Sequence, residues 1–426
     1  MSSPFVSLNS WVAPGWMYQG EDPVEIVAGG PDNWDRLERA LHRHRHERAD
    51  ASPHPRGAAV GYFEYDGSFW FGIFPELQAE PMGVPTDRWT RRSRAQDAPA
   101  RIGPWRAGMS RNDYEDAVRA VHQGIAAGDI YQVNITQRFA ADFAGNPYAL
   151  FEHLLARSPA PGGAFLDTGT RQVLSASPEL FLRIEGREIL TQPIKGTRPR
   201  DRDPQRDGRL AYELITDPKE IAELIMITDL ERNDLGRVCE YGSVTVPDLL
   251  RPEKFAQVHH LVSTVTGRLR REVTPLQALR ACFPGGSITG APKRTAMRMI
   301  ERLEPCPRGL YTGAIGYFAF NGDAAFSIAI RTLVRDGNEL HYHVGAGITA
   351  DSDPAREYEE TMQKGTGLRQ ALACYLDAVG AGAATLPAHG PPASADRSDR
   401  TLDFGLDEQP PHSAVDKCSE QTERRG

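Results

Sequence analysis

Lys195 stands in Gln192-Pro193-Ile194-Lys195-Gly196-Thr197-Arg198-Pro199-Arg200, between the strand-like run Ile189 to Ile194 and a glycine turn. That placement lets a lysine reach into a pocket. An amine is a nucleophile only without its proton, and at a reference pKa near ~10.4 about one in a thousand is neutral at pH 7. Lys195 is therefore either an ordinary surface cation or an amine whose surroundings depress its pKa. Glu179, in Ser177-Pro178-Glu179, is its candidate acid partner. Leu180 to Glu185 and Glu188 to Ile194 read as two strands around Gly186, which puts Glu179 and Lys195 at the open end of one hairpin. Their offset along the strands is then roughly ~7–10 Å, room for a small substrate.

Two helix starts repeat one pattern. Asp217-Pro218-Lys219-Glu220-Ile221-Ala222-Glu223 and Asp353-Pro354-Ala355-Arg356-Glu357-Tyr358-Glu359-Glu360 each open with an Asp N-cap and Pro in the first turn. In each, two glutamates three apart share a helical face: Glu220 with Glu223, and Glu357 with Glu360. Capping and the helix dipole account for such glutamates. Together the four also offer an oxygen-rich site for a hard cation such as Mg²⁺.

Phe283-Pro284-Gly285-Gly286-Ser287-Ile288-Thr289-Gly290-Ala291-Pro292-Lys293 is a glycine and hydroxyl loop entering a helix from Arg294 to Leu303. It reads equally as an anion cradle or a tight structural turn. It is not a nucleotide P-loop, because Ala291-Pro292 separates Gly290 from Lys293. Gly345-Ala346-Gly347 is a second place for close approach. Arg331 interrupts an apolar strand, Ala325 to Leu333, where an arginine meets a carboxylate of the protein or of a ligand. His260, in His259-His260-Leu261, reads as a satisfied core or surface histidine or as a catalyst. The sum points to a small, multiply anionic substrate, one divalent cation, a carboxylic acid and a lysine.

The elements that must position these groups are mixed. Residues 1–105 read as a strand-rich region with one helix, closing on an arginine- and proline-rich surface connection from 81 to 109. Ser110 caps a helix with the apolar stripe Tyr114, Ala117, Val118, Val121 and Ile125, ended by Gly128. Asp129 to Phe139 follows as a strand. A catalytic region spans 110–378, and the proline-rich, aperiodic segment 380–426 reads as disordered. His42, His44 and His46 suit a solvated helix end rather than a metal. The net charge of −8 excludes a general nucleic-acid binder. No run approaches the ~20 apolar residues of a membrane span. The start of the chain lacks a leader pattern, and five scattered cysteines fit a reducing, cytoplasmic setting.

From Ser110 to Leu376 the chain resembles the chorismate-utilising enzymes, and within them the aminodeoxychorismate synthase component I branch. The motifs that carry this are DIYQVNITQRF, SPELF, PIKGTRPR, PKEIAELIMITDLERNDLG, HHLVSTVTG, FPGGSITGAPK, CPRGLYTGAIGY, IRTL and GAGITADSDPAREYEETMQK. The resemblance implies an α+β fold of two packed antiparallel sheets with outer helices. It implies Mg²⁺ on Glu223 and Glu360, with Glu220 and Glu357 in support. Substrate carboxylates would meet Tyr311, Arg331, Gly345, Gly347 and Lys364, and the ring His260, Ser287 and Thr289. Glu179 would be the general acid and Lys195 the nucleophile on ring carbon 2. Lys195 is the position that separates this branch from anthranilate synthases, which carry alanine there. Gln132 separates it from salicylate and isochorismate synthases, which carry a water-activating lysine. Ammonia would come from a separate glutamine amidotransferase subunit, since no glutaminase nucleophile region is recognisable. The runner-up within the family is anthranilate synthase component I. A nucleotide-binding module and a lysine Schiff-base enzyme are the readings from other classes.

Overall fold

The first local decision in the chain is a set of helix caps, and the structure makes them as the side chains dictate. Ser110 and Asp113 form a reciprocal capping box at the head of the helix Arg111–Ala126. Asp217 accepts the N–H groups of Lys219 and Glu220 to start Pro218–Gly236, and Asp353 accepts that of Arg356 to start Pro354–Lys364. In this computed structural model residues 3–9, 15–46, 54–82, 100–255 and 258–380 are described. The segment from 381 onward and most of the 81–109 connection lie outside them.

The described strands assemble into an 11-stranded and a 10-stranded sheet, each antiparallel at every pairing. The two sheets share one core. Val6, Leu8, Ala164, Leu166 and Val173 of the first meet Val60, Tyr62, Trp70, Ile315 and Tyr317 of the second. The alternate residues point the other way. Phe5, Phe165 and Leu174 pack under the helices Pro147–Arg157 and Thr366–Ala378. Ala59, Phe63 and Phe71 pack with Trp34 and Leu37 of the helix Trp34–His44. Both faces of the central strands are therefore apolar, and helices cover the outside. This is the α+β sandwich that the resemblance implied.

The N-terminal strands are built into both sheets. Phe5–Asn9 pairs with Gly162–Asp167, and Ala58–Phe63 pairs with Ala314–Ala319. No helix among the described residues is long and apolar enough to cross a membrane.

One expected strand is corrected. The run Ala325 to Leu333 is not a single strand. Ala324–Ile328 belongs to the second sheet and Thr332–Asp336 to the first. The chain changes sheets between them, and Arg331 sits at that corner with φ +49°. Left-handed backbone at a non-glycine residue is uncommon, and here it turns the chain from one sheet to the other.

Candidate active site

The hairpin read from the sequence is present, with one addition. Leu180–Glu185 pairs with Glu188–Gln192, so Glu179 precedes the first strand. Pro193 has no N–H to give, and the chain then resumes as Ile194–Pro199 along the same partner strand, Val258–Arg268. The register slips between Lys195 and Thr197, at Gly196, whose φ is +71°. This glycine bulge re-aims Lys195. A Cβ at Gly196 would lie 2.7 Å from Leu214 and 3.2 Å from a Glu220 carboxylate oxygen, so only glycine lets the strand pass this close.

Lys195 Nζ donates to Glu223 Oε1 at 2.7 Å, with side chains 13% and 9% exposed. Burial works to strip Lys195 of its proton, but the carboxylates of Glu223, Glu179 and Glu220 outweigh it and its pKa lies above the ordinary value. In the structure as it stands Lys195 is thus a buried ammonium. Burial likewise opposes the charge on Glu223, and Lys195 and the Gln132 amide, which also donates to Oε1, more than offset it. Glu179 is buried, and burial raises its pKa. The Ser287 hydroxyl, Lys195 and the Ile194 N–H pull the other way without cancelling that rise. A buried carboxyl with a raised pKa beside a lysine has the chemistry a general acid needs.

The four glutamates stand on the two capped helices, and each has a cationic partner. Glu223 has Lys195, Glu220 has Arg198 at 3.5 Å, Glu357 has Lys219 at 3.2 Å and Glu360 has Lys364 at 2.8 Å. Glu357 also accepts from Ser352 at 2.6 Å. Burial, then the charge of Glu223, raises the pKa of Glu220. As they stand, no three acidic, histidine or cysteine side chains among the described residues converge on a metal position. The donor set, all carboxylate oxygen, suits a hard divalent cation once the lysines turn away.

Gly347 faces this group. It pairs with Asn134 across the first sheet, and a Cβ there would collide with the Gln132 amide nitrogen, lying 2.7 Å from Glu223 Oε1 and 2.9 Å from Asn134 Oδ1. Gly347→Ala is expected to keep the fold and displace these three side chains. A displacement of about 1 Å at a reacting centre costs roughly 100-fold, so kcat/KM should fall by about that factor. Steady-state kinetics beside a thermal melt check this, and wild-type kinetics would show that Gly347 is not at the reacting centre.

The remaining sequence-derived residues divide. Arg331 makes no side-chain ion pair or hydrogen bond with the described residues, and burial lowers its pKa. A partly buried guanidinium of this kind has donors to offer an anionic ligand. It lies close enough to His260 to oppose that ring's protonation, and burial first, with that charge, brings His260 down to about 4. His260 Nδ1 is held by the Gly196 carbonyl at 2.9 Å, and its buried Nε2 has no partner among the described residues. Tyr311 stacks on His343 at 5.2 Å, and burial raises its pKa. Lys364 Nζ also donates to the Gly345 carbonyl at 3.1 Å. Thr289 is turned inward, its hydroxyl bonded to the Gly285 carbonyl at 2.9 Å. Lys293 is taken up by an ion pair with Asp234 and by the Cys282 carbonyl, so it is not free to cradle an anion.

Sequence reasoning passed over Glu231. Its carboxylate accepts the Gly286 N–H at 3.0 Å and so fastens the loop that carries Ser287. Burial raises it to about 7. Glu231 and Asp234, three apart on the buried side of Pro218–Gly236, repeat the glutamate spacing noted above and could have been found by it.

A family profile described as chorismate binding enzyme matches residues 76–370. The chain belongs to the chorismate binding enzyme family. Among its relatives, aminodeoxychorismate synthase component 1 of Klebsiella aerogenes is 41% identical over 75% of this chain and 79% of that protein. Anthranilate synthase component 1 1 of Haloarcula marismortui is 48% identical over 62% of this chain and 54% of that protein, so the match spans about half of its length. The crystal structure of anthranilate synthase component I from Streptococcus pneumoniae superposes with a TM-score of 0.69 at 28% identity, covering 87% of this chain and 91% of the other. Proteins named aminodeoxychorismate synthase component 1 and proteins named anthranilate synthase component 1 are thus both similar to this chain, at comparable identity.

Proposed function

We propose that this chorismate binding enzyme is component I of an aminodeoxychorismate synthase, adding ammonia to chorismate at ring carbon 4. The observation that carries the reading is Lys195, a buried amine in contact with Glu223 and beside the protonation-prone Glu179. The similarity to proteins named anthranilate synthase favours component I of that enzyme as the second reading.

In the proposed reaction Arg331, Tyr311 and Lys364 take the substrate carboxylates, and His260 and Ser287 line the ring. Lys195 releases its proton and attacks carbon 2, forming a C–N bond. The ring double bonds shift, and the carbon 4 hydroxyl leaves as water on a proton from Glu179. Ammonia adds at carbon 4, the double bonds return and the Lys195–carbon bond breaks. The sum is chorismate plus ammonia giving 4-amino-4-deoxychorismate plus water. Gln132, neutral, has no means of making a hydroxide competitor. Glu223 and Glu360, aided by Glu220 and Glu357, would hold Mg²⁺, which when bound supplies positive charge for a substrate carboxylate. With Glu223 engaged by such a cation, Lys195 would be without its counter-ion, which would favour the neutral amine.

Ammonia must be supplied. The purified chain is expected to consume chorismate with Mg²⁺ and ammonium salts at alkaline pH, and to be inert with glutamine until an amidotransferase subunit is added. Chorismate absorbance follows the reaction, and separation of products identifies the amine. Rapid turnover on glutamine by the chain alone would contradict the partner, and indifference to any ammonia source would sink the reading.

A further inference from the structure

Arg308 sits on the turn between the helix Lys293–Leu303 and Tyr311, and none of the roles above falls to it. Its side chain is 1% exposed and pairs with Glu304, whose side chain is 5% exposed. A guanidinium has five N–H donors, and here all of them are placed. Nε donates to Glu304 Oε2 at 2.9 Å and Nη2 to Glu304 Oε1 at 2.7 Å. Nη1 donates to the Ile288 carbonyl at 2.9 Å and to the Thr312 hydroxyl at 3.3 Å. Nη2 also reaches the Asn134 carbonyl at 2.9 Å. Glu304 Oε1 in turn accepts the Thr136 N–H at 2.9 Å, and the Tyr65 ring covers the guanidinium at 4.7 Å.

The places it touches share one property. Asn134 is two residues from Gln132 and pairs with Gly347. Ile288 lies between Ser287 and Thr289. Thr312, held at φ +62°, follows Tyr311. One planar fork thus sets the spacing of three segments that each carry a site residue. A buried ion pair is rarely more stabilising than apolar residues of the same volume, so stability is a weak reason for this one. The geometry points to Glu304–Arg308 as a positioning pair for the chemistry, fixing Ser287, Tyr311 and the Gln132 strand relative to one another. The inference rests on the site reading given under Proposed function. Arg308 itself touches no substrate. Lysine could not replace it, because an ammonium lacks the rigid fork.

Two variants of the full chain test this: Arg308→Lys, and Glu304→Leu with Arg308→Met, which leaves no lone buried charge. Three quantities are read: chorismate consumption whatever the product, the chorismate dissociation constant, and the thermal midpoint. Both variants are expected to lose about 100-fold in kcat, while chorismate affinity stays within about fivefold. The double variant should melt at or above the wild type, and Arg308→Lys within a few degrees of it. The proposal is overturned by a folded double variant with kcat within about threefold of wild type. It is equally overturned if both variants fail to fold, or if only chorismate affinity falls, since the pair is then a stability or binding element. Because consumption is followed without regard to product, an unexpected product counts against the proposed reaction and not against this pair.

Discussion

Lys195→Ala is expected to lose about three orders of magnitude in turnover, roughly ~4 kcal/mol of barrier, and to keep its affinity for chorismate. In the proposed reaction, binding and chemistry fall to different residues. Arg331, Tyr311 and Lys364 stay in place when Lys195 is removed, and so does Glu179. What disappears is the covalent route, so the hydroxyl must be displaced directly. Lys195→Arg should do no better, because a guanidinium stays charged and is a poor nucleophile. Intact-protein mass spectrometry without ammonia should show a chorismate-derived adduct on the wild type and none on Lys195→Ala. Near-normal turnover by Lys195→Ala to the same product would make the lysine an electrostatic residue and end the covalent mechanism.

Glu223→Gln and Glu360→Gln are each expected to all but abolish Mg²⁺-dependent turnover while the chain stays folded. A neutral amide cannot replace a carboxylate toward a hard dication. There is a second, independent readout. Lys195 holds the same Glu223 oxygen that a cation would need, at 2.7 Å, so lysine and cation compete. Lys195→Ala should therefore gain more thermal stability from added Mg²⁺ than the wild type does, and Glu223→Gln should gain almost none, as mass action on the folded state requires. If Mg²⁺ shifts all of these proteins equally, the four glutamates are not its site.

The parts of the molecule legible in the sequence are the local ones. Ser110, Asp217 and Asp353 announce their helices because a cap is a contact within three residues. The strand pairing around Gly186 was visible for the same reason. The sandwich itself was not, except through resemblance. Its central strands, such as Phe5–Asn9 and Phe69–Phe74, are buried on both faces, which erases the alternation that marks a sheet's inner side. The split of Ala325 to Leu333 was hidden because only the backbone of Arg331 records the corner.

The site divides in the same way. Lys195, Glu179 and the paired glutamates stood out by residue type and spacing, and the structure brings Glu179, Glu220 and Glu223 within electrostatic reach of Lys195. Thr289 and Lys293 have the right chemistry for a ligand loop; the Thr289 hydroxyl proton is given to the Gly285 carbonyl, and Lys293 is held by Asp234. Glu304 and Arg308 act on backbone groups of segments far away in the chain, and sequence spacing carries no sign of such contacts, whereas the three-residue spacing of Glu231 and Asp234 was there to be read.

Product identity from chorismate, Mg²⁺ and an ammonium salt is the most direct measurement. The expected product is 4-amino-4-deoxychorismate, which keeps the enolpyruvyl ether, so chorismate is consumed with no pyruvate released and with nitrogen on carbon 4. Anthranilate, formed with one pyruvate per chorismate, would contradict amination at carbon 4 and place Lys195 outside the reaction.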